Sequence, residues 1–228
     1  MASKISKKDL NLDGPDKFQS TMELITDYIA ENKKRFYSIV AGTVLAVFIA
    51  VFIYLYWSHY QYAAREMYAK SQKETSENVE SPEILAKNIK IYKELTDKYP
   101  HSWSARMAHY HLGNLYYHAG ELDNAIASYK KFVASRISDA AGMKFLALTS
   151  IGYCYEARKD YKSALEYFEK AQKNKKIGFE SMALRNIARM YELMNNRENA
   201  LENYRKALEK TKDPSMAVFI KYKISTLS

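Results

Sequence analysis

One stretch near the N-terminus limits what this chain can fold into more than any other feature. From Phe36 to Trp57 the sequence runs for 22 residues without a charged side chain. A helix rises about 1.5 Å per residue, so this stretch spans about 33 Å and covers a hydrocarbon layer of about 30 Å. It is apolar on every side, whereas a core helix of a small soluble domain keeps a polar face. The stretch therefore predicts a transmembrane helix over residues 36–57.

The charges beside this helix predict its orientation. Lys33, Lys34 and Arg35 precede it directly, and such clusters favour the cytoplasmic side of a membrane. Arg65 and Lys70 on the other flank weaken the asymmetry. A cleaved signal peptide would have a shorter apolar core and a small-residue cleavage site. We expect an uncleaved signal anchor, with the N-terminus in the cytoplasm and the C-terminal part across the membrane.

Residues 1–35 form a nearly neutral tail, with seven Lys or Arg against six Asp or Glu. Residues 1–16 are expected to be disordered. After them, apolar residues recur at helical spacing, and Ser20 with Glu23 forms a capping box at the start of the pattern. The predicted short amphipathic helix either lies on the lipid surface, which is the favoured interpretation, or docks on a cytosolic partner. Its apolar positions are Phe18, Met22, Ile25 and Ile29.

The rest of the chain repeats with a unit of 36 to 39 residues. Each unit has a large residue, then an aliphatic one, a small one and a tyrosine, followed by an alanine and an aromatic residue four positions later. A half unit with Asn88, Tyr92, Leu95 and Pro100 precedes the complete ones. The three complete units are His109, Leu112, Gly113, Tyr116, Ala125 and Tyr129; Leu148, Ile151, Gly152, Tyr155, Ala164 and Phe168; and Leu184, Ile187, Ala188, Tyr191, Ala200 and Tyr204.

The spacing of small and large residues has a physical meaning. Gly113, Gly152 and Ala188 allow the first helix of a hairpin to approach the second closely, and the aromatic residues fill the space between hairpins. This pattern resembles the tetratricopeptide repeat family over residues 80–212. Asp213 and Pro214 predict the start of one more helix, which would cap the stack. We expect an all-α chain: an N-terminal transmembrane helix, then an α-solenoid of tetratricopeptide hairpins over residues 58–228 with a C-terminal capping helix.

In the tetratricopeptide family the first helices of successive hairpins line a concave groove that holds an extended peptide or a partner helix. Positions such as Tyr110, Asn114 and Tyr117 follow i, i+4, i+7 and so share one helix face. Packing of this face against the C-terminal helix is the alternative to a binding role. The resemblance implies that the protein-binding groove contains Tyr110, Asn114, Tyr117, His118, Thr149, Tyr153, Glu156, Arg185, Arg189 and Glu192.

The order of tail, signal anchor, repeats and final helix is similar to the YfgM-type ancillary subunits of the bacterial Sec translocon. This resemblance implies a protein–protein interaction scaffold in the bacterial inner membrane, with the repeats in the periplasm. The implied partners are translocon subunits, periplasmic chaperones and exported proteins. The alternative is an N-anchored receptor whose repeats lie in the cytosol and dock chaperones or precursor proteins, but the basic cluster before the span argues against it.

Composition and motifs argue against several other functions. The net charge of +9 comes from lysines interspersed with glutamates, so we do not predict nucleic-acid binding. No phosphate-binding loop, nucleophile elbow or metal-binding helix motif is present, and we predict neither an enzyme nor a small-molecule substrate nor a cofactor. His111 and His118 lie seven residues apart, but surface and packing roles are the more common ones and no metal site is predicted. Cys154 is the only cysteine and is expected to be a small buried residue.

Overall fold

A computed structural model of the chain describes residues 17–75, 81–135, 142–173 and 178–228. The predicted disorder of residues 1–16 falls outside these ranges. Within them every regular element is an α-helix, in agreement with the predicted all-α class. The helices are α1 (Lys17–Glu31), α2 (Lys33–Thr75), α3 (Pro82–Lys98), α4 (Trp103–His118), α5 (Leu122–Ala134), α6 (Met143–Ala157), α7 (Tyr161–Lys173), α8 (Glu180–Leu193), α9 (Arg197–Lys210) and α10 (Pro214–Leu227).

The contacts divide the chain into two units, residues 1–58 and residues 59–228. In the first unit α1 begins at Lys17. Ser20 therefore lies inside the helix and not at its N-cap, so the predicted capping box is wrong. The predicted boundary after Trp57 falls inside α2, whose second part belongs to the other unit. Among the described residues, Lys33–Lys73 is the only helix long and apolar enough to cross a membrane. Its apolar stretch is not covered by other described residues, as the exposed Phe48 and Phe52 illustrate.

The second unit contains three helical hairpins, α4–α5, α6–α7 and α8–α9, in the register that the sequence predicts. The turn inside each hairpin uses one residue with a left-handed backbone, at Gly120, Lys159 and Asn195, with φ of 74°, 61° and 59°. These residues are separated by the same 39 and 36 positions as the repeated motif. The turn geometry is therefore repeated although the residue at the turn changes from glycine to lysine to asparagine.

The small residues of the first helices lie where the hairpins cross most closely. A Cβ atom at Gly113 would lie 2.5 Å from the ring of Tyr129, and one at Gly152 would lie 2.6 Å from the ring of Phe168. Ala188 packs in one core cluster with Tyr204 at the equivalent place in the third hairpin. Each aromatic ring thus sits directly against the backbone of the partner helix, which sets the distance between the helices.

The N-terminal end of the stack is closed by the second part of α2. Ala64 and Tyr68 pack in one core cluster with Tyr92 of α3 and Leu112 of α4. The hydroxyl group of Tyr68 forms a hydrogen bond of 2.8 Å with Nε2 of His111. The half unit that precedes the three complete repeats therefore corresponds to α3, which packs with the second part of α2.

The C-terminal end of the stack is covered by α10. The carboxylate of Asp213 accepts a hydrogen bond from the backbone N–H of Ser215 at 2.9 Å, and Pro214 begins the helix, as the sequence predicts. Ile220 is fully buried, and α10 packs against α9. The opposite side of α10 exposes Phe219 and Tyr222.

Candidate protein-binding groove

The first helices of the hairpins bring several of the predicted groove residues together. A cavity of about 170 Å³ opens between α4, α5 and α6, and we call it the groove pocket. Tyr117 stands at its edge with 39 % of its surface exposed. The groove pocket is lined by Asn114, Tyr117, His118, Tyr129, Ser150 and Tyr153.

Hydrogen bonds hold two walls of the groove pocket in place. The Tyr129 hydroxyl donates to Oδ1 of Asn114 at 2.7 Å, and burial raises the pKa of Tyr129 well above its usual value. The Tyr153 hydroxyl accepts from Nδ2 of Asn186 at 3.0 Å. The ring of Tyr153 also meets Phe168 edge to face, with 5.3 Å between the centroids. Both tyrosines are therefore ordered without any ligand.

An ion pair continues the groove from α6 to α8. Nη2 of Arg189 lies 2.5 Å from Oε2 of Glu156, and the guanidinium group stacks 5.5 Å from the centroid of the Tyr153 ring. Burial raises the pKa of Glu156, although the charge of Arg189 acts in the opposite direction. Burial likewise raises the pKa of Tyr117. Because Tyr153 both lines the groove pocket and lies against Arg189, the ion pair adjoins the groove pocket.

Two predicted groove residues of the third hairpin instead hold the C-terminal helix. Nη1 of Arg185 donates to the sulfur of Met216 at 2.9 Å. Glu192 pairs with Lys223 of α10 at 2.7 Å and accepts a hydrogen bond from the Tyr204 hydroxyl at 2.8 Å. The side chains of Arg185 and Glu192 are thus engaged within the protein, and α10 occupies this part of the face, as the alternative to a binding role supposed.

Thr149 and Tyr110 take part in packing between helices. Thr149 is only 3 % exposed, and its buried hydroxyl oxygen has no hydrogen-bond partner among the described residues. The ring of Tyr110 packs against Phe132 and Tyr129, with centroids 5.4 and 5.9 Å away, and Tyr110 is half-buried. Thr149 is therefore not accessible to a partner, whereas part of Tyr110 is.

Three residues of the site were not among the predicted ones. Tyr129 and Ser150 line the groove pocket, and Asn186 fixes Tyr153. The repeat pattern identified Tyr129 only as a packing residue, and it carries no signal for Ser150. Asn186 could have been noticed, because it is an amide in an apolar row of α8 and is only 1 % exposed.

The histidines and the cysteine considered in the sequence analysis have separate surroundings in the described part of the chain. In the described ranges, no group of three or more His, Cys, Asp or Glu residues is placed to hold a metal ion. His111 is bonded to Tyr68, and its ring stacks on Tyr92 at 5.3 Å, whereas His118 lines the groove pocket. Cys154 is buried, which raises its pKa to about 11 and makes the thiol unreactive near neutral pH.

Solved structures of other repeat proteins share this fold. MamA superimposes with a TM-score of 0.52 at 19 % identity, over 63 % of this chain and 77 % of that protein. PilF of Pseudomonas aeruginosa gives a TM-score of 0.55 at 12 % identity, over 72 % of this chain and 68 % of PilF. A putative kinesin light chain of Podosopora anserina with nearly identical tetratricopeptide-like repeats gives 0.54 at 12 % identity, over 72 % and 84 % of the two chains. At these identities the similarity concerns the fold alone.

The sequence itself identifies the family. No curated protein matches the chain. The family model described as the tetratricopeptide repeat-like domain matches residues 33–228, which include α2 to α10 and therefore every hairpin and groove residue described above. Together with the repeated turn and the close helix crossings, this match shows that the chain belongs to the tetratricopeptide repeat-like domain family.

Proposed function

We propose that the protein is a membrane-anchored scaffold whose repeats bind segments of exported proteins, as an ancillary subunit of the Sec translocon in a bacterial inner membrane. The groove pocket and the adjoining Glu156–Arg189 pair carry the binding part of the proposal. They form an open, pre-ordered surface on the concave face, and tetratricopeptide-like folds generally mediate protein–protein interactions. The partners would be translocon subunits, periplasmic chaperones or exported proteins.

The uncovered apolar part of α2 supports the membrane anchor. A core helix of a soluble protein would be covered by other side chains, whereas this stretch is not buried. A cleaved signal peptide would separate from the folded domain. Here the same helix continues to Thr75, and its second part supplies Ala64 and Tyr68 to the core of the repeats. The stretch also ends in the bulky residues Tyr54, Tyr56 and Trp57 where a signal peptide would carry a small-residue cleavage site, so an uncleaved signal anchor fits better than a removable one.

The charge distribution around the anchor favours repeats in the periplasm. Lys33, Lys34 and Arg35 lie next to the N-terminal end of the apolar stretch, and positive charge is retained on the cytoplasmic side. Arg65 and Lys70 follow the stretch and favour the opposite orientation, that of a receptor with cytosolic repeats. A direct measurement of topology decides between the two.

The buried thiol of Cys154 makes this measurement simple, because the native chain carries no other cysteine. We expect Lys212→Cys in the exposed turn before α10 to react with a membrane-impermeant maleimide in spheroplasts, because this residue lies in the repeat unit. Glu31→Cys at the end of α1 should react only after the membrane is permeabilised. The unsubstituted chain is the control and should stay unlabelled. The reverse pattern would establish the cytosolic receptor and exclude the translocon role.

Client capture is expected to depend on Tyr117. Tyr117→Ala removes the most exposed tyrosine of the groove pocket, and we expect at least a fivefold loss of exported proteins crosslinked to the full-length chain in cells. Tyr222→Ala on α10 is the matched control, since this tyrosine is exposed but lies outside the groove pocket. Tyr153 is left unchanged because it also holds Asn186.

The crosslinked material is identified after purification in mild detergent. Translocon subunits that remain bound to Tyr117→Ala while exported proteins are lost would mean that the anchor or tail docks the protein and the groove binds clients. Equal capture by the wild type and Tyr117→Ala would move the binding surface away from the groove. Cytosolic chaperones in place of exported proteins would contradict the proposed role.

A further inference from the structure

The groove pocket has room for one aromatic ring. Its volume is about 170 Å³. An apolar cavity of about 150 Å³ holds one benzene molecule. Tyr117 and His118 of its lining are exposed, so the groove pocket is open to solvent on the side of α4. The size of the cavity therefore fits a side chain of the phenylalanine type, with the main chain of the ligand outside.

The walls suit a ring better than an aliphatic group. Tyr117, Tyr129 and Tyr153 all line the cavity, and aromatic rings gain about 0.5–1.5 kcal/mol from offset or edge-to-face contacts beyond the burial of area. Tyr129 and Tyr153 are already fixed by Asn114 and Asn186. Binding therefore orders few side chains of the protein, which lowers its entropic cost. Asn114 and Ser150 provide polar groups that can bond to the main chain of a ligand.

The charges around the groove pocket favour an uncharged ligand. Arg189 is neutralised by Glu156, and Lys223 is neutralised by Glu192. A ligand with a terminal carboxylate would have to replace Glu156 at Arg189. Arg185, the remaining cation of the predicted groove, is directed at Met216 of α10. A charged ligand would thus compete with existing partners, whereas a neutral one leaves both ion pairs intact.

We propose that the groove pocket binds a single phenylalanine or tyrosine side chain from an uncharged, extended segment of a partner protein. This inference rests on the proposed function, in which the concave face captures segments of exported proteins, and it specifies which segments are captured. Such segments expose aromatic side chains before they fold and bury them afterwards. Capture would therefore end when the client folds.

The experiment uses full-length protein in mild detergent and unlabelled twelve-residue peptides, followed by titration calorimetry. Calorimetry avoids a dye, which is itself aromatic. One peptide of glycine and serine carries a single central phenylalanine, the second carries alanine at that place, and the third is the alanine peptide with an acidic C-terminal tail. We expect the phenylalanine peptide to bind at least tenfold more tightly than either of the others.

A pair of substitutions locates the binding. Ser150→Phe fills the groove pocket from a half-exposed position and should weaken binding of the phenylalanine peptide at least tenfold. Ala127→Phe adds the same residue to the exposed side of α5 and should leave binding unchanged. Circular dichroism of both variants checks that helix content is retained. If Ser150→Phe loses helicity, Ser150→Leu fills the same space with a smaller side chain.

Three results would overturn the inference. The first is tighter binding of the acidic peptide than of the phenylalanine peptide, and the second is equal binding of the phenylalanine peptide by the wild type and the folded Ser150 variant. The third is a dimer in sedimentation experiments that the Ser150 variant abolishes. The last result would mean that a second copy of the chain occupies the groove pocket. If peptide preference is absent while crosslinking of exported proteins still depends on Tyr117, only this inference fails. If both are absent, the proposed function fails with it.

Discussion

Gly152→Leu is expected to destabilise the repeat domain by about 3 kcal/mol, the upper end of the usual cost of overpacking a core. Even the Cβ atom of the new side chain would lie 2.6 Å from the ring of Phe168, and the ring is 1 % exposed and so has little room to move. The helices α6 and α7 would have to separate. Because the hairpins of a solenoid stabilise one another through neighbouring interfaces, the loss should spread to α5 and α8, which contact this hairpin.

A graded series separates overpacking from a general sensitivity of α6 to substitution. Gly152→Ala introduces only the Cβ atom and should cost less than Gly152→Leu but remain destabilising. Ala157→Leu introduces the same residue at an exposed position of the same helix and should change stability by less than about 0.5 kcal/mol. Thermal and guanidinium melts followed by circular dichroism measure all three. A melt of Gly152→Leu that coincides with the wild type would mean that the close crossing does not exist.

The hairpin architecture could be predicted because its determinants are local in the sequence. A small residue in the first helix and an aromatic residue in the second face each other at a fixed spacing, as Gly152 and Phe168 do. The turn between them needs one residue with positive φ. Gly120 suits that conformation, but Lys159 and Asn195 adopt it as well, so the sequence alone would not have identified the turn position in every hairpin.

The groove could be predicted only in part, because family positions give the side of a helix and not what covers it. Arg185 and Glu192 are on the expected side, yet α10 contributes Met216 and Lys223 to their surroundings. That contact joins residues 31 positions apart and leaves no periodic signal in the sequence. Thr149 is buried for a related reason, since the distance between neighbouring first helices depends on the packing of whole hairpins.

Two buried asparagines lead to opposite expectations about stability. Asn88 lies in α3 where the complete repeats carry Ala125, Ala164 and Ala200. It is 0 % exposed, and within the described part of the chain neither the nitrogen nor the oxygen of its amide group has a hydrogen-bond partner. Asn186 is 1 % exposed, but its amide exchanges hydrogen bonds with the Tyr153 hydroxyl at 3.0 and 3.3 Å. The amide of the same residue type is therefore unpaired in the half unit and hydrogen-bonded in the third hairpin.

Asn88→Ala should raise the free energy of unfolding by about 1–2 kcal/mol. An unpaired polar group in the interior costs about 1–3 kcal/mol, and alanine removes this cost. The packing lost with the smaller side chain offsets only part of the gain. Asn186→Ala should instead lower it by about 1–3 kcal/mol, since the Tyr153 hydroxyl loses its partner. Guanidinium melts of the full-length protein measure both changes in the free energy of unfolding, provided that the slope of this free energy against guanidinium concentration is the same in the wild type and the variants. A loss of stability in Asn88→Ala comparable to that in Asn186→Ala would mean that the Asn88 amide is bonded in solution, for example to an internal water. Opposite signs would show that the half unit at the start of the stack retains a polar residue at the expense of stability, at a position where the complete repeats use alanine.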